Sequence, residues 1–311
     1  MIDALLHLFW ILIFPGFVFT LVIGLVASWV VRKVSAKVQY RVGPPFLQPF
    51  YDIMKLLGKE TLVPKDAQRT LFMSAPLIGM AGVLLLATML WRISLAPERL
   101  FVGDIIVAIY LMVLPSLALI LGSSASASPH ASVGAAREMK MVMGYELPLV
   151  LAFVVIVIKT GGTLSLAAIS SNVTVLSISG FLAFAVALLC MQAKLGFVPF
   201  DIPEAETELA SGVLMEYSGA LLAIWQMMQA MMLIALPLFL VMVFLGGFGP
   251  NVWAGIGKLV LILVIIILIK NTNPRVRIDQ AMKFFWQYCT LALVVAIALA
   301  IIGTSTGLSW L

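Results

Sequence analysis

Charge is scarce in this chain. Only 11% of its 311 residues are Asp, Glu, Lys or Arg, while 63% are hydrophobic. A soluble domain carries about 25% charged residues. With a mean hydropathy of +1.14, the chain is excluded from that class and read as a polytopic membrane protein. Cysteine and histidine are scarcer still. Cys190 and Cys289 form no CxxC pair, and His7 and His130 stand alone. So few ligands exclude an iron–sulfur cluster or zinc site on this chain, and no metal is expected. Also missing are a Pro- or Ser-rich linker, an internal repeat and a soluble basic domain. The net charge of +5 is therefore no sign of nucleic-acid binding. Residues 1–311 read as a single integral membrane domain.

What is present is long apolar runs. A helical span needs about 20 mostly apolar residues. Eight runs qualify, at roughly 8–31, 71–95, 103–122, 146–168, 178–198, 217–245, 252–272 and 285–303. Backbone groups in lipid must be satisfied within the segment, so these runs read as helices. The expected fold is an all-α polytopic bundle of about eight transmembrane helices. The first run reads as a span and not as a cleavable signal, since Asp3 is close by and no basic region precedes it.

Charge asymmetry orients the bundle. Loops 32–70, 123–144, 191–216 and 270–288 hold most of the 19 Lys and Arg; the other side has Arg92, Arg99, Lys159 and Lys258. The positive-inside rule puts the first set in the cytoplasm and both termini outside.

The cytoplasmic loops carry the chemistry. In the first, Gly43-Pro44-Pro45 breaks the chain after a basic turn holding Arg41. Apolar residues from Phe46 to Leu57 then follow a helical period around Asp52, Lys55 and Lys59. They predict a short amphipathic helix, at the membrane surface or walling a cavity that faces a soluble partner. In the second loop, 123–135 is small and polar and reads as mobile or covered by another subunit. Arg137 and Glu138 follow, and Glu146 opens the fourth span, either as a helix-start acid or as the first carboxylate of a lateral ion path. The third loop, PFDIPEAETELASGVLMEYS, packs Asp201, Glu204, Glu206, Glu208 and Glu216 between two spans. Glu204 and Glu208 are i,i+4 on any helix beginning at Pro203. Capping explains one or two of these acids, not five. Carboxylates clustered in low dielectric raise one another's pKa, which a proton relay or charge switch requires. The same acids could instead pair with Arg137, Lys194, Arg275 and Arg277 as structural glue. In the fourth loop, Arg275, Arg277 and Asp279 precede Phe284, Phe285, Trp286 and Tyr288, which suit an interfacial belt. Asp104 starts the third span on the outer side, where the helix dipole is enough to account for it and the alternative is an ion exit.

Four blocks carry a resemblance: RKVSAKVQYRVGPP with LQPFYDIMKLLGKE, GAAREMKMVMGYE, PFDIPEAETELASGVLMEYSG and NPRVRIDQAMKFFW. They span nearly the whole chain. Through them the chain resembles the H subunit (subunit 1) of respiratory complex I and its counterparts in membrane-bound nickel–iron hydrogenases and related sulfur reductases. The resemblance implies a membrane anchor without a redox centre. It places Glu146, Asp201, Glu204, Glu206, Glu208 and Glu216 on the family's coupling acids and their neighbours. Arg137, Arg275, Arg277 and Asp279 fall on its cytoplasmic charged positions, with Arg41, Asp52 and Glu138 beside them. The nickel–iron centre and iron–sulfur clusters are expected on partners, the peripheral large and small subunits. Antiporter-like subunits are expected alongside in a prokaryotic plasma membrane.

Several positions depart from the respiratory branch. The link from Gly43-Pro44 to Gln48-Pro49 is several residues shorter, and Ala136-Arg137-Glu138 is similar to the hydrogenase branch. Lys194 stands where many members carry a glutamate, and Phe197 where a basic residue is common. These departures argue against a quinone site and route the acidic path through Lys194, expected among the five acids. The expected function is the coupling subunit of a ferredoxin-dependent, ion-translocating complex that evolves hydrogen or reduces sulfur. The alternatives are the quinone-site subunit of NADH:quinone oxidoreductase, a self-contained cation/proton antiporter, and a purely structural anchor.

Overall fold

The computed structural model describes residues 2–95, 105–204, 208, 210, 212–249, 251–308 and 310, with side chains from Leu6 onward. Arg99, Asp104 and Glu206 lie outside the described residues. Twelve α-helices are described: α1 Ile2–Leu12, α2 Phe17–Val38, α3 Gln48–Leu57, α4 Arg69–Leu95, α5 Ile105–Ser124, α6 Pro129–Lys159, α7 Leu166–Ile169, α8 Ile178–Lys194, α9 Gly219–Phe244, α10 Val252–Thr272, α11 Ile278–Lys283 and α12 Thr290–Thr306. A π-helical segment, Phe284–Cys289, joins α11 to α12. No β-strand occurs among the described residues. A lone bridge pairs Val173 with Leu245.

Seven apolar segments are long enough to cross a bilayer: Leu6–Val38, α4, α5, α6, α9, α10 and Ile278–Thr306. The 17-residue α8 is the eighth apolar helix, about 25 Å long against a hydrocarbon core of about 30 Å. The all-α multi-pass architecture is the expected one. Prolines 76, 115, 148 and 237 sit inside α4, α5, α6 and α9, as transmembrane helices tolerate. α9 carries Gln226 and Gln229 as its polar side chains and is otherwise apolar, and 89% of its most apolar stretch is buried. That is the signature of a core helix. In α10 the figure is 28%, and Val260, Leu261 and Leu268 are left exposed.

The chain divides into two compact units. The first holds Met1–Trp91, Tyr110–Met139 and Asp201–Ala235; the second holds Arg92–Ile109, Lys140–Phe200 and Leu236–Leu311. In the first, α3 is the expected amphipathic helix. Its Ile53 joins Leu25 of α2 and Ala230 of α9, with Phe50 and Met227 packed against them. In the second, α8 lies along α12, and Phe153 of α6 meets the Phe239 ring edge to face at 5.2 Å.

Four expectations need correction. The first span is two helices, parted at residues 13–16. The fourth span does not open at Glu146, because α6 begins at Pro129 and ends at Lys159. The small residues before Arg137 are therefore helix and not mobile loop. Ala131 and Ala135 are buried, on the face they share with Gly134. Hydropathy misses this half of α6 because its apolar face is built from small side chains and not from large ones. Beyond Lys159, Gly161 and Gly162 take positive φ and the chain turns. Finally, the aromatics of the fourth loop are not all interfacial. Trp286 and Tyr288 are exposed, but Phe285 is fully buried against Phe200, at 4.8 Å between centroids.

Candidate functional site

The exit of the acidic segment is clamped within the first unit. Ser218 Oγ accepts from the Leu62 amide at 3.0 Å, and Thr61 Oγ1 accepts from the Ala220 amide at 3.3 Å. Between them Gly219 has φ +57, and a Cβ there would lie 2.5 Å from the Glu60 carbonyl oxygen. Only glycine fits that backbone and that approach. Tyr217 stacks on Phe72 at 4.2 Å and donates its hydroxyl to the Phe72 carbonyl at 3.1 Å. Burial pushes the Tyr217 phenol well above its ordinary pKa, so it serves as a fixed donor. On the α6 side Gly134 faces the 212–213 backbone; a Cβ there would lie 2.9 Å from the Val213 nitrogen. The small-residue half of α6 is thus the seat of the acidic segment.

The described acids of this segment have the following partners and exposure. Glu208 is exposed and accepts from Arg137 at 2.7 Å. Glu204 accepts from the amide of Gln229, on α9, at 2.9 Å. Asp201 and Glu216 are half-buried. Glu216 lines an open cavity of about 300 Å³ with Leu62, Val63, Pro64, Met215, Tyr217 and Ser218. The i,i+4 relation of Glu204 and Glu208 falls on a stretch partly outside the described residues. On α3, Asp52 accepts from Arg32 at 3.1 Å and Gln48 at 2.8 Å. Arg41, Arg275, Arg277 and Asp279 are exposed, and Glu138 is half-buried.

The second unit holds a different arrangement. Lys194, the last residue of α8, buries its side chain completely. Its Nζ lies 2.5 Å from Glu146 Oε1 and 5.2 Å from the Tyr145 ring centroid. The Glu146 side chain is 20% exposed, so the pair touches solvent only through the carboxylate. Glu146 sits well inside α6 and not at its start, so the helix dipole does not account for it. Lys194 was expected among the acids of the third loop; it also pairs with Glu146, 48 residues upstream. A cationic Nζ without access to water needs a nearby anion, and Glu146 supplies it. Two residues earlier, fully buried Gln192 donates to the Val198 carbonyl at 2.9 Å, while its Oε1 has no hydrogen-bond partner among the described residues. Beyond it, Lys270 lies 4.3 Å from the Phe197 ring centroid.

Gln229 and Gln192 escaped the sequence analysis, which followed only charged residues. The available signal was an amide inside an apolar span, alone at Gln192 and one turn from Gln226 at Gln229, which is costly unless hydrogen-bonded.

The fold and site define a multi-pass helical membrane protein with ion pairs and carboxylates in and beside its spans. The comparisons name the family. Residues 10–301 match the model of the NADH dehydrogenase family, and the chain belongs to it, as an H-type membrane subunit of complex I-like enzymes. It is 36% identical to the NADH-quinone oxidoreductase H subunit of Thermomicrobium roseum over 306 residues, covering 88% of this chain and 89% of that one. To its counterpart in Syntrophotalea carbinolica it is 36% identical, over 92% and 93% of the two chains. Among solved structures, a chain of the membrane-bound sulfane sulfur reductase, an archaeal respiratory membrane complex, superposes with a TM-score of 0.82 at 28% identity. That match covers 91% of this chain and 96% of the other.

Proposed function

We propose that this chain is the anchor and coupling subunit of an ion-translocating, ferredoxin-dependent oxidoreductase. Electrons reach protons or sulfur through redox centres on the peripheral subunits, and none of those centres lies on this chain. The observation that carries the coupling role is the buried Lys194–Glu146 pair. Such a pair is expensive to desolvate and is often no more stable than an apolar replacement, so its presence supports a use for its charge. In this reading the basic loops face the cytoplasm and both termini lie outside. Arg41, Asp52, Arg137, Glu138, Arg275, Arg277 and Asp279 form the docking surface for the peripheral arm. A redox change in that arm shifts charge near Asp201, Glu204, Glu206 and Glu208. Glu146, Lys194 and Glu216 respond, and the change passes to antiporter-like neighbours. The likeness to the sulfane sulfur reductase chain and the short Gly43–Gln48 link support the ferredoxin branch.

The bacterial relatives, NADH-quinone oxidoreductase subunits, favour a second reading, quinone reduction, in which the cavity beside Glu216 and Tyr217 would take part. The test is to purify the intact complex through a tag on this chain and supply reduced ferredoxin. Evolution of hydrogen or sulfide, with no bound quinone, supports the proposal. Quinone reduction with neither product overturns it in favour of the second reading.

A further inference from the structure

We infer that Gln229 is the positioning residue for Glu204, and that their hydrogen bond is where the acidic segment meets the interior of α9. The inference rests on the coupling role proposed above and assigns one step of it. Gln229 is ten residues beyond Gly219, the first residue of α9, which places it about 15 Å along the axis. The acidic segment therefore does not simply cover the end of α9. Ile202 and Pro203 are buried, and Glu204 follows them inward until its Oε1 lies 2.9 Å from Gln229 Nε2. On α9 Trp225, Met228 and Ala230 are buried, while Gln229 itself and Gln226, one turn earlier, are half-buried. A half-buried amide beside apolar side chains is stabilised by a hydrogen bond.

The choice of an amide matters chemically. Its NH₂ donates to the ionised carboxylate, and its carbonyl oxygen can accept from the protonated acid after rotation about the terminal bond. Glutamine thus serves both protonation states of Glu204, whereas leucine would serve neither. A donor to the ionised form lowers the pKa of a carboxylate. Removing Gln229 raises the pKa of Glu204, and the acid limb of any process that needs Glu204 ionised moves to higher pH.

The experiment uses the intact complex in sealed vesicles and reads ions moved per electron across a pH series. The variants are Gln229→Met, Gln229→Glu and Glu204→Gln. Gln229→Met keeps the length of the side chain and removes both hydrogen-bonding groups. It is expected to lower the ratio about tenfold near neutral pH and to shift the acid limb upward. Gln229→Glu sets a second carboxylate against Glu204, a like charge that disfavours ionisation, and shifts the limb the same way. A wild-type ratio and an unshifted limb in Gln229→Met overturn the inference. If Gln229→Met does not assemble, Gln229→Glu decides on the same readout. Glu204→Gln separates the two levels. Normal pumping by Glu204→Gln overturns the use of Glu204 in coupling, and this inference with it. Loss of pumping by Glu204→Gln beside a wild-type profile for both Gln229 variants overturns only the role of Gln229.

Discussion

The two units hold their ion pairs in opposite ways. In the first, Arg137–Glu208 and Arg32–Asp52 lie at the surface, with side chains 28% and 62%, and 49% and 33%, exposed. In the second, the Lys194 side chain has no exposure and its Glu146 partner has 20%. Surface pairs contribute about 0–1 kcal/mol and are screened by salt. Breaking a buried pair by deleting one partner costs about 3–5 kcal/mol, because a charge is left stranded. The surface pairs locate the acidic segment on α6 and α3 on α2. The buried pair holds a charge that reaches solvent only through the Glu146 carboxylate, the property that the proposed coupling role would use.

This contrast can be broken or sharpened by mutation of the intact complex. The largest effect is expected from Glu146→Leu, which strands Lys194 Nζ away from water. Yield and thermal stability should fall as for a loss of about 3–5 kcal/mol. Lys194→Met should cost less, about 1–3 kcal/mol on the desolvation scale for a single group, since the Glu146 carboxylate keeps solvent on one side. The double variant Lys194→Met with Glu146→Leu should regain most of the stability lost in Glu146→Leu, as paired apolar replacements do. Additive losses in that cycle would mean that the two residues are not coupled. Next comes Gly219→Ala, a strained positive φ with a blocked Cβ, expected to cost about 1–3 kcal/mol and to loosen the clamp at Ser218. Limited proteolysis between 204 and 218 reads that loosening. The smallest effect is expected from Arg137→Ala, within about 1 kcal/mol and shrinking as salt rises. A large, salt-independent loss there would erase the distinction between the units.

The resemblance and the apolar runs made the fold legible almost throughout, but partners were not. Glu146 and Lys194 each stood out as charges beside spans. Nothing local said that they meet, because contact across 48 residues depends on helix packing that hydropathy does not encode. The start of α6 was hidden for a related reason. Alanine and glycine at 131, 134 and 135 form a face that is tight and not greasy, so a hydropathy count reads it as loop. Phe285 and Trp286 are neighbours with opposite fates, one buried and one exposed, which aromatic composition cannot separate. Gln229 was readable only as an anomaly, one of two amides, with Gln226, in an otherwise apolar helix.

The most direct test is the number of ions moved per electron by the Lys194→Met, Glu146→Leu double variant, measured on the assembled complex in sealed vesicles. The account predicts a complex that assembles and whose ratio falls about tenfold or more, because the stored charge is gone while the packing remains. Pumping at the wild-type ratio would contradict it and would leave the pair with a structural role alone.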